Sequence, residues 1–123
     1  MIPPEVLTIL DAVPAFSPDY LAVAAQADGD PGAPAAFTEL ADFVAGLLAG
    51  LDREGPLLAR CLAAVESVAA TSADGAELVA WAFLDSLSPD DRDRLRPWCG
   101  PRTLALLREV DGDDAEPDTG GER

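Results

Sequence analysis

The chain has no lysine, no histidine and no asparagine, only two cysteines, and few aromatics: two tryptophans, one tyrosine and four phenylalanines in 123 residues. Each absence removes chemistry. Without histidine, the commonest general base, the usual partner of a serine or cysteine nucleophile and the main transition-metal ligand are missing. Without lysine there is no Schiff base, no Ser-Lys dyad and no phosphate-loop motif. The two cysteines, Cys61 and Cys99, are too few for a zinc site. In a chain expected to be cytoplasmic they read as free thiols, with a disulfide between them as the alternative. No cofactor and no metal is expected.

Long apolar runs are lacking too. The longest uncharged run, "FVAGLLAGL", is nine residues, far short of the roughly 20 that span a bilayer. The start, "MIPPEVLTILD", has no basic n-region and meets an acid at Glu5, so no signal peptide is expected and the cytoplasm is the expected location. Positive charge is scarce: eight arginines face 23 acids, for a net charge of -15. Nucleic acid and anionic membrane would be repelled and there are few cations to release their counterions, so a basic protein is the partner the charge favours.

What is present is 49% apolar, enough for one folded domain of this length. Proline, glycine and serine punctuate it into helices. Pro3 and Pro4 open a first helix to about Val13, and Ser17 with Pro18 opens a second to about Ala27. "DGDPGAP" is a loop. A third helix, about 34–52, carries Phe37, Leu40, Ala41, Val44, Leu47, Leu48 and Leu51 at helical spacing, and "REGP" is read as its end. A fourth, from Pro56 to about Ala70, buries Leu57, Leu58, Cys61, Leu62, Val65, Val68 and Ala69, with Glu66 at the edge of that face. Ser72 caps a fifth helix, about 74–87, and Ser88 a short sixth that Pro97 stops. Pro101 opens a last helix to Val110. No segment alternates like a strand, so the fold expected is all-α: a compact bundle of about six to seven short helices over residues 1–110. From Asp111, "DGDDAEPDTGGER" holds six acids and one arginine and reads as a disordered acidic tail. Without it residues 1–110 still carry -10, so the acidity belongs mainly to the domain.

Three segments carry possible site chemistry. "DGDPGAPAAFTE" places Asp28, Asp30 and Glu39 at the first, third and twelfth positions of a calcium loop, but Ala33 stands where the turn needs glycine, so a solvated loop is the better reading. "PDDRDRLR" concentrates Arg92, Arg94 and Arg96, as an anion clamp would; Asp90 with Arg94 and Asp93 with Arg96 instead neutralise the helix locally. "ELVAWAFLD" puts Glu77, Trp81 and Asp85 four residues apart, an acid, aromatic, acid stripe. Because this helix is apolar nearly all round, two readings stay open. Either Trp81 is core and Asp85 answers an arginine such as Arg60, or the acids face water and hold Trp81 at the surface, where a cationic partner can take it. Glu66 joins Glu77, Trp81 and Asp85 as a candidate partner-binding residue, and Glu66 with Asp85 is the one carboxylate pair a small hydrolase could use.

The blocks "FTELADFVAGLL", "LARCLAAVESV", "AFLDSL" and "GPRTLALL" resemble small, acidic, all-helical bacterial proteins, some of them thought to be toxin-neutralising immunity proteins. The similarity runs over about residues 16–109. It implies a compact helical fold and a non-enzymatic role. The expectation is therefore an immunity- or antitoxin-like binding protein that covers a basic surface of a toxin or nuclease. The alternatives are a structural or regulatory helical module acting as a homodimer, and the carboxylate hydrolase.

Overall fold

A computed structural model of the chain describes residues 2–27 and 32–112, apart from the side chains of residues 51 and 52. Every element among the described residues is helical: α1 (Pro4–Ala12), α2 (Ser17–Gln26), α3 (Ala33–Ala49), α4 (Leu51–Thr71), α5 (Ala73–Glu77), α6 (Pro89–Leu95) and α7 (Pro101–Asp111). A π turn (Leu78–Phe83) and a 3-10 turn (Leu84–Ser86) continue α5 without a break, and the three together are called the Trp81 helix below. The all-α expectation is met. No single helix among the described residues is long and apolar enough to cross a membrane.

Local signals explain most of the boundaries. α1, α2, α3, α6 and α7 each open on a proline in their first two positions, where its missing N–H costs nothing and its fixed φ suits the helix. Ser72 Oγ accepts the Gly75 N–H at 2.9 Å and Ser88 Oγ the Asp91 N–H at 3.1 Å, so both expected serine caps are made. Ser17 makes no such cap: a 3-10 turn over Pro14–Phe16 leads directly into α2 and takes Ser17 into the helix. "DGDP" lies outside the described residues.

The boundary between α3 and α4 sits earlier than "REGP". Gly50 is the single residue between them: its N–H donates to the Leu47 carbonyl at 3.1 Å, and its own carbonyl accepts from Arg53 and Glu54, both at 3.0 Å. It thus tightens the end of one helix and starts the next. Pro56 then falls in the second turn of α4, where its proline signal looks like a start.

α3 buries Ala36, Phe37, Leu40, Ala41, Val44, Leu47 and Leu48, and α4 buries Leu58, Cys61, Leu62, Val65, Val68 and Ala69, close to the faces expected, except that Leu57 is only partly buried and Leu51 begins α4 instead of ending α3. Phe16 closes the α1 and α2 end of the core by an edge-on contact with Phe43, ring centres 5.4 Å apart. The π turn lies in the middle, against α3, α4 and α7, and sends Val79, Ala80 and Phe83 into the core.

The arginines of α6, and Arg96 just after it, are taken up by partners within the domain. Arg92 donates from Nη1 to the carbonyls of Leu84 (3.2 Å) and Leu87 (2.7 Å), and from Nε to Asp111 Oδ1 at 2.7 Å. Arg96 holds the other Asp111 oxygen at 2.7 Å and Asp93 at 3.2 Å. Arg94 donates to the Leu48 carbonyl and pairs loosely with Asp91 at 3.8 Å, rather than with Asp90. Asp111 is therefore the last residue of α7 and an internal ion-pair partner, not the first of a tail; Gly112 stops the helix in the left-handed conformation at φ 78°. Residues 113–123, the rest of the expected tail, lie outside the described residues.

Two expectations follow for stability. A Cβ at Gly75 would sit 2.2 Å from the Val68 carbonyl oxygen, whereas one at Gly46 would meet nothing within 4 Å. Thermal unfolding should therefore show Gly75→Ala destabilised by about 1–3 kcal/mol through overpacking and Gly46→Ala stabilised by up to about 1 kcal/mol through helix propensity. Asp111→Asn should cost about 1–3 kcal/mol, because two guanidinium groups at the domain surface lose their shared carboxylate.

Candidate functional site: an acidic groove beside Trp81

The Trp81 helix is central in the fold and yet displays its tryptophan. Gly75, Val79, Ala80, Phe83, Leu84 and Leu87 are buried, while Glu77, Trp81 and Asp85 are exposed, Trp81 at 59%. Four residues make slightly more than one α turn and slightly less than one wider π turn, so the three stay on one side of the helix. This overturns the core placement of Trp81. Asp85 makes no ion pair or hydrogen bond among the described residues, with Arg60 or any other group.

The last carbonyls of a helix lack partners further along it, and side chains supply donors to them here. Ser86 Oγ donates to the Ala82 carbonyl at 2.8 Å, and Thr38 Oγ1 of α3 reaches the same oxygen at 3.4 Å. With Arg92 on Leu84 and Leu87, the exit of the helix is fully tied. Its entrance is fixed by the Ser72 cap and by the close approach of Gly75 to α4.

On one side of Trp81 the surface falls into an open groove of ≈ 580 Å³. Ala33 and Pro34 from the start of α3, with Leu78, Trp81 and Ala82, form its apolar wall; Glu5 from α1, Asp74 and Glu77 carry its negative charge. None of these three carboxylates has an ion-pair or hydrogen-bond partner among the described residues. They do not converge: among the described residues no three acidic or thiol side chains are placed to hold a metal ion. Glu77 and Trp81 thus share a concave site, and Asp85 flanks it from the next turn. Glu5 and Asp74 were missed. Asp74 sits two residues after the Ser72 cap and Glu5 lies on another helix, so only the packing of α1 against this region could have joined them.

Glu66 is elsewhere and has another task. Its Oε1 accepts from the Thr103 N–H and from Thr103 Oγ1, both at 2.9 Å, and its Oε2 from the Arg102 N–H at 3.1 Å. It is the cap of α7, supplied by α4. Burial would push its carboxyl up, but these donors and the Arg102 charge outweigh burial and hold it below the ordinary value of 4.5. Gly100 is small for this reason: a Cβ there would lie 2.5 Å from Glu66 Cδ. A second groove beside Glu66, of ≈ 410 Å³, is lined by Trp98, Cys99 and Gly100 and does not include Asp85, so the carboxylate pair of the hydrolase alternative does not share it. Both cysteines are free thiols, pushed up by burial to about 12 for Cys61 and about 11 for Cys99.

Glu66→Gln should lower stability by about 0.5–2 kcal/mol at neutral pH, the usual range for a lost cap. Because the folded carboxyl titrates below its unfolded value, the wild-type advantage is complete above about pH 4.5 and disappears as pH falls through the folded value. Gly100→Ala displaces the same carboxylate, so in a double-mutant cycle its cost should overlap with that of Glu66→Gln rather than add.

Protein-family models, curated proteins and solved structures were all compared with the chain, and none of them matches it.

Proposed function

We propose that the protein is a non-enzymatic binding protein, an immunity- or antitoxin-like inhibitor that occludes a basic surface on a partner such as a toxin or nuclease. The observation that carries this reading is Trp81, a large aromatic side chain 59% exposed on a helix fastened at both ends, with unpaired carboxylates on either side. Tryptophan is among the residues richest in interface hot spots, and an indole can stack on a cation. Its surroundings select the sign of the partner. Glu5, Asp74 and Glu77 in the groove, and Asp85 beyond it, attract a positive surface, and a net charge of -15 extends the attraction to the encounter. Inhibition then needs no chemistry: covering the partner's basic surface denies it to that partner's own substrate.

Charge argues against the same face closing a homodimer. An isologous dimer would set its carboxylates against themselves, and Arg92, Arg94 and Arg96 are already engaged within the fold.

The test is a partner captured by the wild-type chain, followed by stopped-flow association and affinity measurement with wild type and with Trp81→Ala. The rate should fall at least about tenfold from about 50 mM to about 500 mM salt, and Trp81→Ala should weaken binding by about 2 kcal/mol, roughly 30-fold. A salt-independent rate together with unchanged Trp81→Ala affinity would remove this reading.

A further inference from the structure

Resting on the binding-protein reading for the kind of partner, we infer that the groove beside Trp81 receives one arginine side chain of that partner, its guanidinium stacked on the indole and its stem along Pro34 and Leu78. The shape of the charge points to this occupant. Three carboxylates rim the groove, yet no three acidic groups among the described residues are placed to hold a metal ion. A compact ion cannot reach all of them. An elongated cation on an apolar stem can lie on the wall and address the rim from the middle.

The helix ends test the sign. Glu5 is the second residue of α1, Ala33 and Pro34 are the first two of α3, and Asp74 is the second of α5, so three helix N-termini face this region. Each contributes about half a positive charge, about +1.5 together. Against this stand three full carboxylate charges, so the groove remains negative and favours a cation over phosphate. It is a moderate excess rather than a deep negative well. That favours arginine over lysine: a guanidinium is less strongly hydrated than an ammonium, stacks flat on an aromatic ring and offers forked donors to separate carboxylates. The apolar wall gives the methylene stem a surface that the charge alone would not.

The recognition site overlaps the sequence stripe without coinciding with it. Glu77 and Trp81 belong to both, Glu5 and Asp74 belong to the groove alone, and Asp85 lies outside it. The experiment is a titration of the full chain with three short, otherwise uncharged peptides differing at one central residue: arginine, lysine or citrulline, which keeps the shape of arginine without its charge. The readout is the indole N–H resonance of Trp81, assigned with Trp81→Phe, with the Trp98 indole as internal reference. The arginine peptide should shift Trp81 and not Trp98. Lysine should bind about threefold or more weakly, and citrulline at least about tenfold more weakly. Glu77→Gln and Asp74→Asn should each weaken the arginine peptide by about three- to tenfold, while Asp85→Asn stays within about twofold. Equal binding of citrulline and arginine, no shift of Trp81, or a shift produced instead by inorganic phosphate would overturn the inference. These results separate from those of the protein partner. A salt-sensitive partner lost by Trp81→Ala, with no response to the arginine peptide, keeps the inhibitor reading and removes the arginine; the reverse keeps the groove and removes the inhibitor.

Discussion

Arg92 holds the exit of the Trp81 helix, α6 and the end of α7 in one place, through the Leu84 and Leu87 carbonyls and Asp111. The need arises at the end of that helix. The last carbonyls of a helix lack partners within it, and a buried carbonyl without a donor costs as much as a lost hydrogen bond. The fold answers with Ser86 and Thr38 on Ala82 and with the guanidinium on Leu84 and Leu87. Because Asp111 neutralises that guanidinium and also pairs with Arg96, the end of α7 is tied to the exit of the Trp81 helix. Trp81 then stands on a backbone anchored before and after it, so less ordering remains to be done when something covers it.

The same accounting explains why so acidic a domain folds. Of eight arginines, Arg92 and Arg94 in α6 and Arg96 just after it satisfy carbonyls or Asp111, and Arg102 lends its charge to Glu66. Positive charge is placed where a carbonyl or carboxylate inside the fold needs it. The surface acids are left largely to solvent, and their mutual repulsion is set against a core in which Phe16, Phe37, Phe83 and many leucines are fully buried. Acidity at the surface is therefore available for partners instead of being consumed by local pairs.

How much of this the sequence carried depends on how far each signal reaches. Ser72 and Ser88 cap a residue three positions on, and the apolar face of α3 repeats every turn, so both were legible. The break at Gly50 was not, because Pro56 a few residues later gives a stronger start signal than a glycine does. The π turn leaves no mark in composition: Val79, Ala80, Phe83 and Leu84 have ordinary helical spacing, and the widening shows only in the hydrogen bonds. Asp111 looked like tail because its neighbours are acids and glycine; its partners, Arg92 and Arg96, lie 19 and 15 residues back. Glu66 was correctly noticed as a carboxylate in an apolar helix. Its task as a cap was not legible, because the donors it serves are on α7, 36 and 37 residues away.

The site divides along the same line. Glu77, Trp81 and Asp85 could be found together because one helix sets their spacing, but a helical stripe has no depth, and depth separates a displayed aromatic from a place that a side chain can enter. Depth comes here from the first turns of α1 and α3 packing beside the Trp81 helix, which bring Glu5 and Pro34 to Trp81 from far away in the chain. Those first turns also bring helix N-termini, whose positive ends partly offset the carboxylates. Selectivity in such a groove cannot come from charge alone, since the excess is moderate. It has to come from the indole and the apolar wall, and they discriminate by shape and hydration among cations that the rim would otherwise accept alike.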